Sequence, residues 1–213
     1  MITKVTIYGE RCSGTNYLEE LIKLNFNITI TWEYGWKHFF GFNDLKNSDE
    51  TLFIGIVRNP YDWLNSFYRE QHHLPSSFKN IDTFLNGEFY SINNDKSEIM
   101  VDRNMYTKQR YKNIFDMRYS KIKFLKDKMP LLVKNYIFIS YESLLTEFNS
   151  TMNKIKNKGL IIKNINFPLN VDYYRKDKKH KFLQKSKINH ISKEKIINKL
   201  DMFYETDILK YKI

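Results

Sequence analysis

Gly9 and Gly14 bracket the run Glu10-Arg11-Cys12-Ser13, and Thr15-Asn16 follow directly. That glycine spacing is the one used by nucleoside-triphosphate loops. In those loops backbone N–H groups cradle phosphates, a lysine reaches the β and γ oxygens, and a hydroxyl holds Mg²⁺. Here Thr15 stands where the lysine would be and Asn16 where the hydroxyl would be. The cradle is kept, and the apparatus for a magnesium-chelated triphosphate is not. Arg11 adds a fixed charge and a planar fork suited to oxygens. The expected ligand is a phosphate-like group held without a metal. The competing reading is a tight strand–helix turn that holds nothing.

Three further groupings could work with that loop. Arg58 follows the apolar run Thr51–Val57, and Ser66 lies two turns into the helix expected next, so the two can converge on one phosphate beside the strand ends or are simply a surface pair beside Pro60. Between loop and arginine come Lys37 and His38. On spacing alone His38, among Trp36, Phe39 and Phe40, suits a half-buried core position; its place beside Lys37 suits proton transfer. Late in the chain, Tyr173–Lys187 is dense in Lys and Arg, and Arg175 or Lys176 either closes over a bound nucleotide or belongs to a solvated charged stretch. Trp32 or Trp36 serves as a base-stacking platform or as core. Cys12 is a packing residue, or a thiol made reactive by a helix N-terminus. His72, His73 and His190 show no metal-ligand spacing and are expected at the surface.

The elements that must position these residues follow from hydrophobic periodicity. Lys4–Gly9 and Thr51–Val57 suit buried strands, the second an unbroken apolar run typical of a parallel sheet's centre. Thr15–Phe26 places Leu18, Leu21, Ile22 and Phe26 on one helical face. Residues 28–40 suggest a second strand, a turn at Gly35 and a further extended piece. Asn59–Gln71 forms a helix with Pro60 in its first turn, where the missing N–H costs nothing. Residues 74–100 are irregular, and Arg103–Met129 makes one long amphipathic helix stopped by Pro130. Asn135–Tyr141 is another strand, Glu142–Asn157 another helix, and Ser192–Leu209 a closing helix capped by Ser192. Strands alternating with helices imply an α/β fold: a three-layer domain with a central, mainly parallel sheet and a phosphate-binding strand-loop-helix. The expected organisation is a single domain over residues 1–213, with an excursion at about 70–125 that could bind an acceptor.

Bulk composition narrows the classes. Hydrophobic content of 42% with 16% aromatics excludes a disordered chain. No apolar run is long enough for a membrane span, and the N-terminal residues suit a strand better than a signal peptide. The lone cysteine excludes an internal disulfide and a Cys-rich metal site, which points to a reducing, cytoplasmic compartment. The net charge of +11 calls for an anionic partner without choosing among nucleotide, nucleic acid, membrane surface and acidic substrate. Arg103, Lys108, Arg110, Lys112 and Arg118 would line a groove for an acidic acceptor or form a solvated helix face.

Gly9–Ile22 resembles the 5′-phosphosulfate loop of sulfotransferases that use 3′-phosphoadenosine-5′-phosphosulfate (PAPS), and Ile56–Tyr68 is similar to their 3′-phosphate motif. Gly35–Phe40 resembles the segment carrying that family's catalytic lysine and histidine, and Ile137–Phe148 the strand–helix whose Tyr141-Glu142 pair lies beside the adenine. The resemblance implies sulfuryl transfer from PAPS to an acceptor hydroxyl or amine, with 3′-phosphoadenosine 5′-phosphate (PAP) as product and no metal. It implies His38 as base, Lys37 and Arg11 as charge stabilisers, and Arg11, Cys12, Ser13, Gly14, Thr15, Asn16, Arg58, Ser66, Tyr141, Arg175 and Lys176 as nucleotide contacts. Two features depart from the family. Its loop lysine is absent, so Arg11 or Lys37 must replace it, and Tyr173–Lys181 lacks the glycine of the late basic loop. Two alternatives stand beside this reading. One is a non-catalytic basic nucleic-acid-binding protein, which leaves the glycine loop unexplained. The other is a P-loop nucleotide kinase, which Thr15 and Asn16 disfavour.

Overall fold

The computed structural model describes residues 1–174, 180–181 and 189–213. Its elements run β1 (Lys4–Tyr8), α1 (Thr15–Asn25), β2 (Thr29–Ile30), β3 (Thr51–Val57), α2 (Pro60–Arg69), α3 (Ile81–Asn86), α4 (Ile114–Lys123), α5 (Met129–Leu132), β4 (Tyr136–Ser140), α6 (Tyr141–Thr146) and α7 (Phe148–Lys156), and then an antiparallel pair, β5 (Tyr173–Tyr174) with β6 (His180–Lys181). The first four strands form one parallel sheet in the order β2-β1-β3-β4. The expected α/β class with a central parallel sheet is what the chain adopts.

β3 explains the layering. All seven of its residues are buried, and side chains alternate across the pleat. Leu52, Ile54 and Ile56 face a cluster with Leu18, Leu21, Ile22 and Phe26 of α1 and its end, and with Met152 and Ile155 of α7. Phe53 faces the opposite cluster of Tyr8, Phe40, Phe124, Leu125 and Met129. A third cluster, around Trp63, Phe67, Phe84, Phe89, Tyr111 and Ile114, lies beneath the excursion. Each fully buried side chain of this kind contributes about 1.5–3 kcal/mol. Gly9 must be glycine because β1 and β3 close together there: a Cβ would lie 2.6 Å from the Ile56 carbonyl oxygen.

Several element boundaries differ from the sequence-based expectation. β2 has two residues, and the segment past Gly35 makes turns instead of an extended piece. Residues 74–100 contain a short helix, α3, capped by Asn80. The long helix begins only at Ile114. Ahead of it, the Asn104 side chain accepts from the N–H groups of Tyr106 and Thr107, and Lys108 sits at φ 63°, so local side-chain turns displace the helix. Asn113 then caps α4. Pro130 does not stop the helix. The turn Phe124–Lys128 widens to π spacing, and Pro130 opens the next helical turn. The helix after β4 is broken at Glu147 into α6 and α7. The closing segment holds a 3₁₀ turn, Ile197–Lys199, and a π turn, Phe203–Ile208, with no α-helix for Ser192 to cap.

Candidate anion site at the strand ends

β1 delivers the chain into the loop, and α1 carries it away. Cys12 (φ 63°) and Gly14 (φ 92°) both take left-handed conformations, which fold the loop back over the strand end. Gly14 also lies flush on the Tyr141 ring: a Cβ there would stand 2.3 Å from Cδ2. Asn or Ser side chains cap α2, α3, α4 and α6, whereas no described side chain caps α1, α5 or α7. The first-turn N–H groups of α1, at Thr15 and Asn16, have no intrahelical acceptor and carry the positive end of the helix dipole.

Lys37 stands beside that turn. Its Nζ lies 2.5 Å from Asn16 Oδ1 and 3.4 Å from Glu19 Oε2, and 5.6 and 5.2 Å from the rings of Trp32 and Trp36, which pack on each other at 5.1 Å. Both indoles thus lie on one side of the lysine. Trp36 is exposed and Trp32 half-buried. His38 is buried next to them, with Nδ1 2.7 Å from the Gly9 carbonyl oxygen. That oxygen only accepts, so neutral His38 carries its proton on Nδ1 and its lone pair on Nε2. Burial pushes the imidazole pKa down to about 3, with Arg11 and Lys37 adding to the effect and Glu10 and the Gly9 hydrogen bond opposing it.

A depressed histidine pKa makes folding weaken on acidification, because the unfolded chain binds the proton more readily. The loss begins below the ordinary value of 6.5 and continues toward about 3. Glu10 is also held low. Burial raises its pKa, but Arg11, Lys121 and His38 together outweigh that and bring it to about 2, so its contribution fades only below 4.5. Between pH 6.5 and 5, His38 is therefore expected to cost about 2 kcal/mol. Asparagine in its place keeps a donor for Gly9 and does not titrate. Urea unfolding should show a smaller stability loss over that interval in His38→Asn than in the parent protein.

Arg11, one of the two residues expected to face the transferred group, points into the protein and is 2% exposed. Its Nε donates to Glu10 Oε1 at 2.8 Å, Nη1 to Ser91 Oγ at 2.8 Å and Nη2 to Asp102 Oδ2 at 2.9 Å, above the Phe67 ring at 4.8 Å. Lys121 completes a buried tetrad of two acids and two bases. Its amine meets Glu10 Oε2 at 2.5 Å, the His38 carbonyl at 2.8 Å, and Asp102. Strand end, excursion and α4 are thereby tied together. Burial raises the Cys12 thiol pKa to about 11, so it stays protonated, in contact with the Ser66 hydroxyl.

Arg58 follows β3 directly and reaches back under the loop. Nη1 donates to the Cys12 carbonyl at 3.1 Å, and the guanidinium lies 4.9 Å over the Tyr141 ring. Its Nε is buried with no hydrogen-bond partner among the described residues. An orphaned guanidinium N–H is costly unless an acceptor completes it. The backbone here is fixed from behind. Arg118 Nη2 donates to the Arg58 carbonyl at 3.0 Å while Glu205 holds its other side, and Glu142 accepts from the Asn59 N–H at 2.8 Å and from Tyr211 at 3.0 Å. Loop, Ser66, Arg58 and Tyr141 therefore converge, with Lys37 and His38 on the loop's other flank. Arg175 and Lys176 lie outside the described residues.

The basic set foreseen for an acidic acceptor is largely ion-paired: Arg103 and Arg110 with Glu98, Arg110 also with Glu88, and Arg118 with Glu205. His72, His73 and His190 are exposed. Among the described residues, no group of three His, Cys, Asp or Glu could hold a metal ion, and no helix is long and apolar enough to cross a membrane.

The chain matches no family model and no curated protein. Among solved structures it is similar to mouse sulfotransferase SULT7A1 complexed with PAP, at 18% identity and a TM-score of 0.50, over 95% of this chain and 84% of the other. The likeness is one of fold: an α/β domain of the sulfotransferase type.

Proposed function

We propose that the protein is a sulfotransferase that moves a sulfuryl group from PAPS to an acceptor hydroxyl or amine. The observation that carries this reading is the orphaned Arg58 Nε beside an uncapped helix N-terminus, two anion-seeking features in one place. The solved neighbour that shares the fold holds PAP. The residues present fit that nucleotide. The N–H groups of residues 12–16, with Ser13, Thr15 and Asn16, would hold its 5′ end; Arg58 and Ser66 would hold its 3′-phosphate; Tyr141 would lie by the base. Arg175 and Lys176 remain proposed as late contacts.

Bound there, the donor supplies an activated sulfuryl group. Such transfers have loose transition states, so the protein's work is positioning and charge stabilisation. His38, neutral and oriented by Gly9, presents Nε2 to take the acceptor's proton. A negative group brought beside it raises its pKa from the free protein's low value toward the working range. Lys37 is the cation beside the first turn of α1 and stabilises charge on the departing oxygen. Arg11 is committed to Glu10 and Asp102, so Lys37 does the work of the absent loop lysine.

Thermal shift tests the reading. PAP should raise the melting temperature, and ATP with magnesium should leave it unchanged. In Arg58→Ala, calorimetry should show PAP binding weakened by about 1.5–3 kcal/mol, the worth of a lost hydrogen bond to a charged group. Equal affinity in that variant removes Arg58 from the site.

A further inference from the structure

The parallel sheet has two unlike edges. β2 is two residues long, whereas β4 runs Tyr-Ile-Phe-Ile-Ser with no lysine, proline or bulge to discourage pairing. The Phe53 N–H donates to the Asn135 carbonyl at 2.9 Å. In a parallel ladder that phase turns the backbone groups of Ile137 and Ile139 toward β3, and those of Tyr136, Phe138 and Ser140 outward. No described residue bonds the outward N–H and C=O groups of Tyr136 and Phe138.

A groove of about 680 Å³ follows this edge, bounded by Ile137, Phe138 and Ile139 and walled by α7 and its flanks. Glu147, Thr151, Lys154 and Lys158 lie along that wall. α7 runs against the strand direction. Thr151 bonds the Ser143 carbonyl just past the strand's C-terminal end, and Gly159 lies against Ile2, ahead of β1. The wall is therefore acidic at the Ser140 end and basic at the Ile137 end. Glu147, Lys154 and Lys158 are all exposed, and no described residue pairs with them.

We propose that this edge pairs antiparallel with the same edge of a second copy, across a twofold axis at Phe138. The outward N–H and C=O groups of the two strands then satisfy each other, and one sheet runs through the dimer. The axis stands perpendicular to the sheet, so the two α7 helices lie side by side and antiparallel. Glu147 of each copy faces the partner's Lys154 and Lys158. An unrelated strand would also fill the edge, but the acid-to-base gradient along the wall is self-complementary, as an isologous contact requires.

Analytical ultracentrifugation of the full chain tests this. A dimer is expected, with its dissociation constant weakened about tenfold or more in Glu147→Lys, where all four pairs across the twofold turn repulsive. The triple variant Glu147→Lys, Lys154→Glu, Lys158→Glu should recover the dimer. Hydrogen exchange should show the Phe138 and Ser140 amides protected at high protein concentration and exposed at low. A monomer at every concentration overturns the proposal, as does a dimer indifferent to charge reversal.

Discussion

His38→Asn should slow PAP release from PAPS by about 10²–10⁴-fold in the presence of a competent acceptor, the range for losing a positioned base. The substitution retains a donor where Nδ1 meets the Gly9 carbonyl, so the loop should keep its shape. PAP affinity should stay within about twofold of the parent protein, because no nucleotide contact is assigned to His38. The split between turnover and affinity is what identifies the role. Turnover unchanged beside intact binding would leave His38 a packing residue among Trp36 and Phe39, and the base would have to be sought elsewhere.

The second large effect concerns the buried tetrad. Lys121→Met leaves the Glu10 and Asp102 carboxylates, both buried, sharing the single Arg11 charge. Removing one partner of a buried ion pair typically costs about 3–5 kcal/mol. Against a total stability of about 5–15 kcal/mol, that is a large share. Lys121→Met combined with Asp102→Asn restores charge balance around Glu10 and Arg11, so the double variant should be more stable than the single one. Denaturant unfolding distinguishes the cases. A single-variant cost below about 1 kcal/mol, or a double variant that simply sums two losses, would mean the tetrad does not act as a unit. The same experiment bears on Arg11: Arg11→Met should lose stability, whereas Lys37→Met should stay folded and lose turnover.

The sheet was largely legible from the chain because its signals are local. The unbroken run Thr51–Val57, the glycines of the first loop and the periodic face of α1 each declare themselves within a dozen residues. The loop and the Arg58 strand end could likewise be paired, because a parallel sheet puts consecutive strand tips together. What stayed hidden is long-range. Arg11 looked like a ligand contact because its partners Ser91 and Asp102 are 80 and 91 residues away, and Lys121 joins Glu10 over 111. No spacing rule links such positions. The helix over-extended through residues 103–113 is a different kind of miss. The amphipathic pattern of the longer segment masks the local signal of Asn104 and Asn113, the turn-former and the cap. The closing segment failed for a third reason: its geometry serves Glu205 and Tyr211, whose partners sit across the molecule.

Those two residues bring the closing stretch to the back of the Arg58–Asn59 turn. Arg58 and Asn59 are stitched in place by side chains that belong, through Arg118 and Glu142, to the closing stretch. Loss of the residues behind Leu200 would take the Glu205 and Tyr211 contacts from Arg118 and Glu142, the two side chains that hold the Arg58–Asn59 turn.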